Sequence, residues 1–232
     1  GKGEIEMSYS SYSQKDWEDD IRFLPKTMKG VFKFLPDIEL VQLIDGTIET
    51  NIDATEYVEN GSIVKTVLPS GRIWLYKDDV VYKIIEPKGM IFEGIVDEYN
   101  EPLEGTVQWK DESNHNLASF TGKFTKSGSN KRPMEGTLYL KNGDKFIGTL
   151  DDKVQFMNGK YLYQNGEINF FKNSIVYKKI LINETVASVE GVFHQNGWLK
   201  EGTAIYRSSS DIDYKKYVGL LDEKGVWIKG TV

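Results

Sequence analysis

Two histidines, His115 and His194, and three aspartate doublets, Asp19-Asp20, Asp78-Asp79 and Asp151-Asp152, are the groups whose chemistry could extend beyond holding a fold. A histidine metal site needs a second imidazole or a carboxylate at ligand spacing, and neither histidine has one. A glycosidase pair needs two separate carboxylates facing each other across a cleft, whereas neighbouring aspartates read as solvated turn acids. The basic stretch SGSNKR, residues 127 to 132, could hold an anion, but its place between two paired glycines marks it as a long hairpin tip. The chain has no cysteine, so disulfides, thiolate metal sites and thiol nucleophiles are excluded. No glycine loop for phosphate, no Gly-x-Ser-x-Gly and no EF-hand calcium loop occurs. The expectation is a protein without catalytic residues, metal or cofactor.

The elements that would carry such groups are marked by glycine. Gly94 and Gly105, Gly148 and Gly159, Gly191 and Gly202, and Gly219 and Gly230 each lie eleven positions apart, and Gly122 with Gly136 is the same device with a longer middle. The second glycine usually opens a run of one type, EGTVQW, EGTLYL, NGKYLY, EGTAIY or KGTV. Such self-similarity predicts a repeat architecture. Between the glycines lie turn signals, among them Asp45-Gly46, Asn60-Gly61, Ser70-Gly71, Asn142-Gly143 and Asn196-Gly197, with Asn165-Gly166 the clearest candidate for a type I′ hairpin turn. Aromatics two residues ahead of the first glycine, Phe92, Phe120, Phe146 and Tyr217, are expected to pack against a glycine of a neighbouring hairpin.

A longer period overlies the short one. LYKDDVVYK at 75 to 83 matches FFKNSIVYK at 170 to 178 with an offset of 95, and EGIVDEYNEPLEGTVQW at 93 to 109 matches EGVFHQNGWLKEGTAIY at 190 to 206 with an offset of 97. We read a tandem duplication over 30 to 109 and 122 to 206, with a partial third copy at 217 to 232, all within one β-repeat domain, 30 to 232. Residues 1 to 29 read as a tail or cap; Ser13 with Asp16 forms a capping box, and Trp17, Ile21 and Leu24 share one face of a short helix.

Composition narrows the class. Hydrophobic residues make up 39% and charged residues 28%, which fits a soluble globular chain, and the aromatics mix with Val, Ile and Thr, which favour strands. A net charge of -6 disfavours nucleic acid and anionic membranes, and no run of apolar residues is long enough to span a bilayer. A cytoplasmic location is the reading these features favour.

The repeat unit resembles the MORN repeat. It is carried by FEGIVDEYNEPLEGTVQW (92 to 109), KFIGTLDDKVQFMNGKYLYQNG (145 to 166), VEGVFHQNGWLKEGTAIY (189 to 206) and YVGLLDEKGVWIKGTV (217 to 232). The aromatic after the first glycine is mostly Val or Leu here, and the inner glycine of the usual Gly-x-Gly is absent, so the repeats are degenerate. The resemblance implies an all-β fold, an elongated, twisted antiparallel array of β-hairpins in a single-layer sheet or solenoid. It also implies a non-enzymatic scaffold that docks a helix or extended segment of a protein partner, with oligomerisation through open sheet edges, or a regulatory module of a larger enzyme. A glycan or phospholipid headgroup module, with peripheral membrane contact, is the alternative. Trp74, Trp109, Tyr139, Tyr163, Trp198 and Tyr206 are the candidate interaction aromatics.

Overall fold

The structure, a computed structural model, describes residues 2–6, 25–35, 40–110, 116–125, 132–182, 186–207 and 216–231. The proposed N-terminal helix, His115, Asp19-Asp20 and most of the SGSNKR stretch lie outside these residues. The described residues form nineteen strands and no helix, each strand antiparallel to its sequence neighbour within two compact units, Gly1–Asp111 and Glu112–Val232.

The first unit is a meander of β1 (Lys2–Glu6), β2 (Pro25–Leu35), β3 (Leu40–Thr50), β4 (Thr55–Glu59), β5 (Ser62–Val67), β6 (Ile73–Lys77), β7 (Val80–Ile85), β8 (Met90–Val96) and β9 (Pro102–Trp109). Strand β1 lies within the segment read as a tail, and it pairs Gly3 with Gly30 and Ile5 with Met28 of β2. The second unit runs β10 (Leu117–Phe124), β11 (Pro133–Leu140), β12 (Lys145–Leu150), β13 (Phe156–Leu162), β14 (Ile168–Lys172), β15 (Ile175–Ile180), β16 (Val186–Phe193), β17 (Leu199–Tyr206), β18 (Lys216–Leu221) and β19 (Trp227–Thr231). The segment read as a third copy is thus the last hairpin of this unit, β18 and β19.

The glycine pairs stand directly opposite each other in the ladders: Gly94 faces Gly105, Gly122 faces Gly136, Gly148 faces Gly159, Gly191 faces Gly202, and Gly219 faces Gly230. Close approach dictates the residue. A Cβ at Gly148 (φ +155°) would sit 2.0 Å from the carbonyl oxygen of Asn158 and 2.7 Å from the Cα of Gly159, so no side chain fits. In two hairpins the ring two residues ahead reaches the glycine pair of its own hairpin: Phe120 reaches both Gly122 and Gly136, and Tyr217 both Gly219 and Gly230. The reason is geometric, since residues i and i+2 share a strand face and the bare glycine leaves the space beside the ring empty. Phe92, Phe120 and Phe146 are completely buried, each contributing about 1.5 to 3 kcal/mol.

The turns among the described residues divide into two kinds. Asn60-Gly61, Asp78-Asp79 and Asn173-Ser174 have positive φ at both residues, the type I′ form. Asn165-Gly166 is not of this kind. Only Gly166 has positive φ, the Gly166 N–H donates to the Tyr163 carbonyl, and the loop is a three-residue turn closed by one left-handed residue. Asn165 instead uses its side-chain oxygen to accept the Glu167 N–H at 3.0 Å. Asp45-Gly46 is no turn at all: Gly46 lies in the middle of β3 opposite Gly30, where the same close approach requires glycine.

One row of side chains runs along the buried face of each unit. In the first unit the ladder places Met28, Ile48, Glu56, Thr66, Trp74, Ile84, Phe92 and Val107 side by side. In the second it places Phe120, Leu138, Phe146, Tyr161, Asn169, Lys179, Val189, Ala204 and Tyr217.

Candidate functional site

The two rows correspond through the 95- and 97-residue offsets, and they differ at four successive positions. Trp74, Ile84, Phe92 and Val107 of the first unit stand where the second has Asn169, Lys179, Val189 and Ala204. Every replacement is smaller or polar. Where Val189 and Ala204 stand in place of the larger Phe92 and Val107 there is a cleft of about 330 Å³, lined by Lys179, Leu181, Val189, Leu199, Ala204 and Tyr206, among others, and rimmed by Trp198.

The cleft is covered on one side by the tip of the β16–β17 hairpin. Lys179 is level with Val189 in the ladder, so a straight hairpin would carry Phe193 about 13 Å further along and Gly197 further still. Yet Lys179 Nζ donates to the Gly197 carbonyl at 2.6 Å and sits 4.6 Å from the centre of the Phe193 ring. The hairpin therefore folds back over the sheet, and the Gly191–Gly202 pair, lying between the two levels, is where the backbone can bend. The folded tip is tied down by His194, whose Nε2 donates to the Leu221 carbonyl at 3.1 Å, and by Asn196 Nδ2, which donates to the Glu223 carbonyl at 2.8 Å.

The first unit makes the same fold-back and closes it. Arg72 donates to Glu101 in the tip of the β8–β9 hairpin and pairs with Glu86, both at 2.7 Å. Burial works against the Arg72 charge, but hydrogen bonds to Glu101 and Glu86 more than offset it and raise the pKa. The corresponding second-unit residues are Glu167, Leu181 and Trp198, a set that cannot form this clasp. Trp198 is 58% exposed, with a face against Gly225, and Leu181 lines the open cleft.

Lys179 is half-buried, and desolvation holds its ammonium below the usual lysine pKa, opposed only by the field of Glu167. Among the described residues no carboxylate lies within ion-pair distance of it, whereas its neighbour Lys178, on the other face, pairs with Glu190 at 3.1 Å. Lys83 and Glu93 make the equivalent surface pair in the first unit at 3.4 Å.

Of the candidate aromatics, Trp74 is buried in the first core row and cannot present itself to a partner, because its ladder neighbours Thr66 and Ile84 hold it on the inner face. Trp109 is half-buried on the same face as Val107. Tyr206 packs against the cluster of Leu199, Ala204, Tyr217 and Leu221 and lines the cleft. The Tyr163 ring lies tilted against that of Tyr161, and its hydroxyl accepts a hydrogen bond from Asn169 at 2.9 Å. Tyr139, 42% exposed, stands on the opposite face beside Lys145. The structure thus brings Trp198 and Tyr206 together and leaves the other four apart.

Asp78 and Asp79 form a type I′ turn, and Asp151 accepts the N–H groups of Lys153 and Gln155 within its turn. Among the described residues no group of three His, Asp or Glu side chains could hold a metal ion. Lys179 was not singled out from the sequence. Its signal lay in the offset of 95, which aligns Ile84 with Lys179 in the sequence.

The molecule is, by class, an antiparallel array of β-hairpins folded back at glycine pairs. No family model matches the chain, and no curated protein matches it. Among solved structures, the wild-type TCP10 domain of Danio rerio CPAP, determined in complex with a peptide of Danio rerio STIL, aligns over 87% of this chain and 98% of that one. The identity is 13% and the TM-score 0.33, too low a likeness to carry a common fold or function.

Proposed function

We propose that the chain is a non-enzymatic protein-docking module whose second unit receives a segment of a partner in the cleft over β15 to β17. The observation that carries this reading is the hollowed core row: Lys179, Val189 and Ala204 line the cleft where the first unit packs Ile84, Phe92 and Val107. A fold that closes this space in one copy and leaves it open in the other gives up packing energy, and such losses concentrate at functional positions. The resemblance of the glycine-paired hairpins to MORN repeats supports the same reading, since such arrays serve as scaffolds. An exposed tryptophan on the rim adds the type of side chain that anchors protein interfaces.

The test is a selection of displayed random twelve-residue peptides on the full chain, run beside glycan and phospholipid arrays. Saturable peptide binding that Val189→Phe abolishes is the expected result, because that substitution restores the ring of the first unit and fills the cleft. Saturable binding to glycans or lipids with no peptide selected would overturn the docking reading.

A further inference from the structure

Resting on the docking reading, we infer that the cleft is selective for charge: it takes a peptide segment that places an acidic side chain, flanked by apolar ones, against Lys179. Three observations converge on this chemistry. The cleft wall sets the apolar side chains of Leu181, Val186, Val189 and Leu199 and the ring of Tyr206 around the Lys179 ammonium, with Asn196 as the other polar side chain. That ammonium spends one of its three N–H donors on the Gly197 carbonyl and has no carboxylate within ion-pair distance among the described residues. It also occupies the place of an isoleucine in the other copy, Ile84, where the same backbone is completed by apolar packing.

A half-buried cation without a counter-ion costs stability, and in an interface it is satisfied by a desolvated carboxylate. The chain's own balance points the same way. A lone cation in a protein of net charge -6 does not draw a polyanion, but it does discriminate for one carboxylate among apolar contacts. Trp198, exposed at the rim of the cleft, offers a ring on which a segment that continues out of the cleft can pack, as a peptide does. The neighbouring Lys178 has its counterpart in Lys83 and its partner in Glu190, so the difference between the copies is confined to the side chain that faces inward.

The experiment compares selections of displayed twelve-residue peptides on the full chain and on its Lys179→Ile variant, which installs the residue of the first copy and is expected to fold at least as well. On the native chain the selected peptides should carry Asp or Glu between apolar residues, and changing that acid to its amide should weaken binding about tenfold or more. On Lys179→Ile the acidic preference should vanish and acid and amide peptides should bind alike. Selected peptides without an acidic residue, or a preference that persists in Lys179→Ile, would overturn the inference while leaving the docking reading intact. Competition by a small carboxylate such as phenylbutyrate at the affinity of the best peptide would overturn it too, by making the occupant a small molecule. Failure to select any peptide would instead remove the docking reading itself.

Discussion

At the scale of single residues, glycine and the left-handed turn positions set the limits of this chain. Gly148 and Gly191 leave no room for a side chain, because a Cβ at either would lie 2.0 Å from a carbonyl oxygen of the facing strand. Gly148→Val or Gly191→Val should lower stability by about 3 kcal/mol or more, read as a fall in the midpoint of thermal unfolding. Unchanged unfolding would contradict the close pairing. Val154 marks the opposite case. It holds φ near +62° at the turn position that Asp53, Asn100 and several glycines occupy elsewhere, and a β-branched side chain is strained there. Val154→Asn should stabilise the protein by about 1 kcal/mol, seen as a higher midpoint in urea at unchanged slope.

Ladders and turns are the next scale, where burial of charge becomes a property of pH. Glu56 sits in the first core row between Ile48 and Thr66, and desolvation raises its pKa above the ordinary glutamate value of 4.5. The folded state therefore holds this proton to higher pH than the unfolded state does. The contribution is most favourable below pH 4.5 and is lost as pH rises through the folded pKa. Glu56→Gln should remove this slope and raise the unfolding midpoint at pH 7, and an unchanged midpoint there would contradict the buried carboxylate. Asp144 runs the other way. Its carboxylate accepts from Tyr161 at 2.7 Å, from the Gln164 N–H at 2.7 Å and from Asn142 at 2.8 Å, and the Tyr161 bond is the main cause of its lowered pKa. Its contribution is present above the unfolded pKa and is lost as pH falls through the lower folded value. Tyr161→Phe should narrow that loss in acid-unfolding curves.

How far these elements were legible depends on what the residues can tolerate. The glycine pairs and the hairpin order could be read because no other residue fits between two strands in that contact. Asp45-Gly46 could not, since a glycine in mid-strand and one in a turn leave the same trace in a sequence. Trp74 looked available for binding, but tryptophan serves a core as well as a surface, and only its ladder neighbours decide. In IVYKKI, Lys178 and Lys179 are adjacent and point to opposite faces, so the sequence alone does not say which one turns inward.

For the whole molecule, the two units put corresponding strands to different uses. The first unit folds its β8–β9 hairpin over a filled row and clasps it through Arg72, Glu86 and Glu101. The second folds its β16–β17 hairpin over a hollowed row and leaves Trp198 exposed. If Lys179 is kept for recognition and not for stability, Lys179→Ile should raise the unfolding midpoint by about 2 to 4 °C while abolishing acidic peptide selection. A lower midpoint would mean that the lysine serves the fold. The first unit, with its row filled, is an internal control for docking in the open cleft. The most direct measurement is amide chemical-shift mapping of the full chain titrated with a selected peptide. Docking in the cleft should give shifts confined to β15, β16, β17 and the turn from His194 to Trp198. Equal shifts across Arg72, Glu86 and Glu101, or shifts that leave Lys179 and Val189 unmoved, would contradict it.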